Sequence, residues 1–345
     1  MRSLRTTRAA VVAASLVVLA AAAPTASTAS AAPAASASAA ADDAGGGFTI
    51  KDPRITESSG LAASRAHPGV YWTHNDQDSP RVFAIDSRTG ETVATVTLQG
   101  VGRPRDMEAI SVGPDGDVYV GDIGDNANGS WDHVWIYRFP EPRKLRDVTV
   151  HATQYTVRYA DGARNAEAMM VHPKTGRVYI ASKNEDGGGL YEGPARLVTG
   201  GTNVFRRIGE VPWVTDGAFS PDGKELVLRS YFSARGYVWR DGRLGADHHV
   251  SAPLQGQSES VTYTTDGKAL MFGTEGDRSE VVRRGVGEDD AKGPDEKSPS
   301  GSGSGEAGSA APDGDDGGKG FAVPTGALVA VVVAALVLRS RRRRS

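Results

Sequence analysis

Between residues 48 and 284 apolar and polar positions alternate with period two over short runs, most plainly in Val93 to Leu98 (VATVTL), as a half-buried strand requires. The stretch Asp106 to Asn126, DMEAISVGPDGDVYVGDIGDN, shows how such runs are ordered. An acidic residue and a small residue precede a short apolar run, a turn at Pro114-Asp115-Gly116, and a second β-rich run that ends in polar residues. Pro presets φ, Asp bonds its own backbone and Gly accepts positive φ, so the stretch predicts a hairpin.

The same outline starts at Glu57, Glu108, Glu167, Asp216 and Glu259, at intervals of 51, 59, 49 and 43 residues. Each interval leaves room for two more strands, and four-stranded units of about 40 to 50 residues predict the blades of a β-propeller. The first repeat reads as strands at 59–64, 70–75, 81–86 and 92–99, and the second as a run from Glu108 followed by 118–121, 133–139 and 149–159. The third takes 168–171, 178–182, 189–192 and 204–211; the fourth takes 217–220, 226–231, 237–240 and 248–253. The fifth has only 260–264, 270–274 and 280–284, and Phe48 to Ile55 (FTIKDPRI) is expected to supply its missing strand and close the ring. Five blades then use every strand, and six is the alternative if the 59-residue interval hides another hairpin.

Composition adds the surroundings. The 345 residues carry a net charge of −3 and 39% apolar residues, enough for one large domain with appendages and with nothing that points to nucleic acid. The chain contains no cysteine, so disulfides and thiolate metal sites are excluded. Residues 1–31 read as a secretory signal, with Arg2, Arg5 and Arg8 before the apolar run Ala9 to Ala23 and a cleavage site at Ala29-Ser30-Ala31. Residues 32–47 read as a disordered linker, 48–284 as the propeller and 285–320 as a Gly/Ser/Asp-rich tether. Residues 321–338 are expected to form a single transmembrane helix of about 27 Å. The basic tail 339–345 is then cytoplasmic. The alternative for this end is a wall-sorting signal, of which Val323-Pro324-Thr325-Gly326 is a loose echo.

The THND motif at 73–76 and the VGDIGDN motif at 120–126 give the span from about Phe48 to Arg284 a resemblance to exported bacterial propellers. It resembles the YVTN, WD40-like and phytase-like superfamily, and within it uncharacterised actinobacterial members. The resemblance implies the architecture and leaves function to the site. The phytase-like members combine channel Ca²⁺ with basic phosphate-binding groups, which this chain resembles in residue types only.

In a propeller the first strand of each blade lines the channel, so Glu57, Glu108, Glu167, Asp216 and Glu259 are expected at one mouth. Their mutual repulsion calls for a cation, with Ca²⁺ as the expected cofactor, or for main-chain donors that satisfy each acid separately. A second set at the ends of the second strands comprises Asn75, Asp76, Asp122, Asp125, Asn126, Lys183, Asn184, Arg229 and Glu275. Of these, Asp122 and Asp125 are further candidate cation ligands, and Asn75, Asp76, Lys183, Asn184, Arg229 and Glu275 are candidate ligand-binding groups. The seven histidines lack an H-E-x-x-H spacing, and neither a G-x-S-x-G elbow nor a P-loop occurs. Trp72, Trp135, Trp213 and Trp239 read as packing between blades.

These features point to a monomeric, membrane-anchored extracytoplasmic propeller that binds a ligand or protein partner at its channel mouth with a bound Ca²⁺. The alternatives are a Ca²⁺-dependent phosphoesterase-like hydrolase and a structural envelope protein. The anchor is tested by fractionation: the protein is expected to stay with membranes after wall digestion, and its release into the soluble fraction would contradict a retained helix.

Overall fold

The computed structural model describes residues 46–287, apart from 78, 128, 185 and 186. The signal, most of the linker, nearly all of the tether, the apolar segment and the basic tail expected from the sequence lie outside the described residues. Among the described residues no helix is long and apolar enough to cross a membrane.

A short strand, β1 (Gly47–Thr49), precedes the repeats. The first repeat contains β2 (Ala62–Ala63), β3 (Val70–Thr73), β4 (Arg81–Asp86) and β5 (Thr92–Gln99). The second contains β6 (Met107–Val112), β7 (Asp117–Asp122), β8 (Val134–Pro140), β9 (Val148–His151) and β10 (Thr153–Tyr159). The third contains β11 (Ala166–Val171), β12 (Val178–Ser182), β13 (Gly188–Glu192) and β14 (Thr202–Val211). Next come β15 (Asp216–Phe219), β16 (Glu225–Arg229), β17 (Ala234–Arg240) and β18 (Arg243–Val250). The last repeat contains β19 (Ser258–Tyr263), β20 (Ala269–Thr274) and β21 (Glu280–Gly285).

Within each repeat the strands form an antiparallel meander, and β1 pairs antiparallel with β21 as the fourth strand of the last sheet. The first strands neighbour one another in a closed order, β2 to β6, β11, β15, β19 and back to β2. An all-β ring of this kind is a β-propeller. The turns between first and second strands carry the residues the pattern demanded: Gly116, Gly223 and Gly267 all have φ between 72° and 78°.

Apolar side chains are buried at every junction between consecutive repeats. Trp72, Val82 and Val96 of the first repeat pack with Met107, Val118 and Phe139 of the second. Tyr119 and Ile136 meet Met169 and Phe205, and Met170 and Tyr179 meet Phe219 and Trp239. Val227 and Ala234 join Val261 and Phe272. The seam between last and first repeats is Ile50, Ile55, Leu61, Tyr71, Phe83 and Ile85 against Met271 and Val281.

Three expectations change. The outer strand of the fourth repeat is β18 at Arg243–Val250 and not 248–253, because its pairing with β17 starts directly after the turn at Asp241-Gly242. The run 149–159 is not one strand: β9 pairs in parallel with β5 of the preceding repeat, whereas β10 pairs with β8 and, in parallel, with β14. The sequence could not show this because both halves alternate alike, and what differs is which exposed sheet edge each half covers. The closing segment is also shorter than Phe48 to Ile55. After Ile50, whose N–H still reaches the Ser279 carbonyl, it leaves the last sheet: the Lys51 N–H turns to the Gly90 carbonyl and Asp52 accepts from the Arg54 N–H in a local turn. Ile50 and Ile55 nevertheless stay buried at 1% and 0% exposure, so the segment seals the seam by packing as much as by pairing.

That seam makes a stability prediction. Ile55→Ala should cost about 2–5 kcal/mol, read as a lower denaturant midpoint. Val198→Ala, at a 53% exposed site, should stay within about 0.5 kcal/mol. Equal small losses at both positions would contradict closure through this cluster.

Candidate functional site

The first strands all start on one face of the ring, so the acids that open the repeats gather there with the loops that follow the second strands. Glu108 stands on β6, Glu167 on β11 and Glu259 on β19, each buried. Asp76, just beyond β3, and Asp106, just before β6, are buried beside them. One carboxylate oxygen from each of Asp76, Asp106 and Glu108 lies within 4.8 Å of the others. Asp106 precedes the strand and the β6–β7 register shifts between Met107 and Ala109, so the two acids meet at a break in the regular alternation.

Local hydrogen bonding fixes this group. The main-chain N–H groups of Arg105 and Asp106 donate to Asp122, whose other partner is the Tyr137 hydroxyl at 2.6 Å. Arg105 is in turn stacked between Trp131 and Trp135, with its guanidinium carbon 4.1 and 3.8 Å from the two ring centroids. Asp106 accepts from Gln77 Nε2 at 3.2 Å and Asn126 Nδ2 at 2.9 Å.

Charge then governs the site. Burial, together with the charges of Glu57 and Glu275, pushes the Asp76 carboxyl up to about 8. Burial and the charges of Asp106, Glu167 and Asp76 hold Glu108 well above the usual carboxylate range. Burial does the same to Glu259, with Glu167, Glu275 and Asp76 adding to the effect and Lys183 opposing it. Lys183 is the cation among them. Its ammonium pairs with both oxygens of Glu167 and donates to the Tyr231 hydroxyl at 2.8 Å. Burial works against that charge, but Glu167 and Glu259 outweigh it and keep Lys183 well above its ordinary pKa.

The structure therefore brings together Glu57, Asp76, Glu108, Glu167, Lys183, Glu259 and Glu275 from the sequence candidates, and adds Asp106 and Tyr231. Asp106 was legible as the acid heading the hairpin stretch; Tyr231, at the end of an apolar run, carried no such signal.

Other candidates are engaged by the protein itself. Asp216 accepts the Gly217 N–H on one oxygen and the Val261 N–H on the other, which staples β15 to β19. Asp125 accepts from the Ser130 hydroxyl and the Trp131 N–H. Asn75 accepts from the N–H groups of Thr56 and Glu57 and donates to the Arg54 carbonyl. Arg229, wholly buried, donates to the carbonyls of Ser260 and Gly273 and to Gln255 Oε1. Asn184 is half-buried in the loop after β12. His74 is fully buried next to Asn75, and burial pulls its pKa down to about 4, so the ring is neutral. Trp72 and Trp239 pack between repeats as expected, while Trp135 stacks on Arg105 and Trp213 lies edge-on to Tyr231 near Lys183.

The chain is thus an all-β propeller with an acidic, one-lysine mouth. No family model matches it, and no curated protein matches it. Three solved structures show a distant likeness to it. A PQQ-bound aldose sugar dehydrogenase from Streptomyces coelicolor has 11% identity and a TM-score of 0.40, over 68% of this chain and 95% of that one. A gluconolactonase from Xanthomonas campestris has 15% identity and a TM-score of 0.41, over 68% and 89%. An auxiliary nutrient binding protein from Bacteroides thetaiotaomicron has 10% identity and a TM-score of 0.40, over 66% and 69%. Likeness at these values carries no argument about chemistry.

Removing the lysine tests the electrostatics. Lys183→Met leaves Glu167 without its partner, which should cost about 3–5 kcal/mol near neutral pH. The loss should shrink as pH falls and Glu167, which burial raises above the ordinary carboxylate range, is protonated. A loss that does not depend on pH would mean that Lys183 acts by packing alone.

Proposed function

We propose that this chain is an extracytoplasmic, membrane-anchored five-bladed β-propeller that binds a hard divalent cation, Ca²⁺ foremost, at its acidic mouth, and through that ion a ligand or partner. The observation that carries the reading is the convergence of Asp76, Asp106 and Glu108. Hard cations take six to eight oxygens at about 2.3–2.6 Å. Two oxygens on one such ion are therefore at most about 5 Å apart, and these three carboxylates meet that limit. They fill only part of a Ca²⁺ shell, which leaves positions for water or for oxygens of a ligand. The five junctions between repeats and the closed order of the first strands support the blade count. The apolar stretch 321–338 with the arginines after it supports the anchor. Nothing in the arrangement singles out a phosphoester substrate, and hydrolysis is not part of the reading.

The test combines pH with the metal. Asp76, Glu108 and Glu259 are raised on folding, so the stability linked to them is fully present below the ordinary carboxylate range and is lost as pH rises through their folded values, which for Asp76 means up to about 8. His74 has the opposite sign, because its depressed value makes stability fall as pH drops from 6.5 to about 4. Measurements between about pH 6.5 and about pH 8.5 isolate the carboxylates. In EDTA the melting temperature should fall across that window. Saturating Ca²⁺, at about a hundredfold over Kd, should add about 2.7 kcal/mol and flatten the slope. Glu108→Gln should weaken the response to Ca²⁺ and make the EDTA curve less steep. A parent protein whose melting temperature ignores Ca²⁺ at both ends of the window refutes the cation site.

A further inference from the structure

Three carboxylates that are to share one ion repel one another while it is absent, so other groups must hold them in place. The segment that carries Asp106 enters β6 through Arg105, whose N–H reaches both oxygens of Asp122 at 3.1 Å. The Arg105 side chain is fixed in turn: it lies between the rings of Trp131 and Trp135 and donates through Nη2 to the His133 carbonyl at 2.7 Å. Trp135 stands across the ladder from Asp122. Trp131 is held by its N–H to Asp125, and the Asp125 N–H donates to Asn165, just before β11, at 2.7 Å. The Met107 N–H donates to the Asp76 carbonyl at 2.8 Å, so the clamp extends from Asp106 to the first repeat.

Two features suit this clamp to a cation site. Among the described residues no carboxylate partners the Arg105 guanidinium and its Nε has no hydrogen-bond partner, so this cation positions Asp106 without pairing with it. Gly124 bounds the acids on another side. A Cβ there would lie 2.5 Å from Asp106 Oδ2 and 2.8 Å from Glu108 Cγ, so only bare main chain fits against the two side chains. The Gly124 N–H also donates to the Asp106 carbonyl at 3.1 Å.

We propose that Arg105 and Gly124 are positioning residues for the cation, and that by fixing the spacing of Asp76, Asp106 and Glu108 they make the site prefer Ca²⁺ to Mg²⁺. The inference rests on the cation reading of the mouth given above. Ca²⁺ gathers about six to eight oxygens, whereas Mg²⁺ keeps several waters and uses only one or two carboxylates. A held set of three carboxylates therefore adds more to Ca²⁺ affinity than to Mg²⁺ affinity, and loosening the set removes the difference. Partners behind metal ligands commonly change affinity about 10–100-fold.

Calorimetric titration of the full-length protein in detergent, with Ca²⁺ and with Mg²⁺ separately, tests this. Arg105→Gln should raise the Ca²⁺ Kd about tenfold and the Mg²⁺ Kd by much less, so that the preference falls. Arg105→Lys, which keeps a cation for the indoles but lacks the planar fork, should lie between Arg105→Gln and the parent. Gly124→Ala, which drives a methyl group against Asp106 and Glu108, should weaken Ca²⁺ binding at least as much as Arg105→Gln. Val227→Ala, in the junction between the fourth and fifth repeats, should lower the melting temperature and leave both Kd values unchanged, which separates positioning from stability. If Arg105→Gln does not fold, Arg105→Lys decides. Equal changes for both ions in the arginine variants, or tighter Ca²⁺ binding by Arg105→Gln, would overturn the proposal. Variants that bind Ca²⁺ as well as the parent would overturn it and leave the cation reading standing, whereas a parent that binds neither ion would overturn both.

Discussion

Unpaired sheet edges are the constraint on which this molecule depends. Every four-stranded unit has two edges with free main-chain donors and acceptors, and a chain that leaves them exposed invites association with other chains. At the outer edges β9 covers β5, and β10 and β14 cover each other. The outer strand β18 instead carries exposed polar residues at Arg243, Asp247, His248 and His249. The last unit is completed by β1, drawn from the other end of the domain. The inner edges cannot pair with a further strand and meet around the channel, where side chains reach across between units. Asp216 takes the Val261 N–H, and the Ser111 hydroxyl takes the Val171 N–H.

That role explains why acids are placed at strand starts, and why only some of them offer chemistry. A buried carboxylate whose oxygens both receive main-chain N–H groups is spent on the scaffold: Asp216 ties β15 to β19, and Asp122 ties the end of β7 to the segment that enters β6. Asp76, Glu108, Glu167 and Glu259 instead share a crowded space in which Lys183 is the balancing cation, and their pKa values respond to one another. The channel thus has an anionic entrance at one end and, at the other, a cavity lined by no carboxylate among the described residues. The polarity of the strands produces this contrast: each repeat opens on an acid and runs into small and apolar residues before its turn.

Much of this was legible beforehand. The acidic heads, the Pro-Asp-Gly turns and the period-two runs gave the repeats, and the unmatched segment near Phe48 pointed to closure of the last sheet. The second repeat's final strand was misjudged because 149–159 alternates without a break, although its halves serve different neighbours. Repeat alignment puts Asn75 and Arg229 on corresponding loops as candidate ligand groups, whereas in the structure both donate to main-chain carbonyls. Alignment says where a residue sits along the chain and nothing about which carbonyls it meets.

The sequence by itself determined the all-β class, the order of strands and the identity of the acids, because turn chemistry and strand periodicity are local properties. The tertiary structure decided which acids are stapled and which are left to repel one another, because that depends on donors brought in from other segments, such as the Val261 N–H to Asp216 and the Arg105 and Asp106 N–H groups to Asp122. It also decided that the far ends of the inner strands enclose a cavity, since five separate segments must meet around one axis before any such space exists.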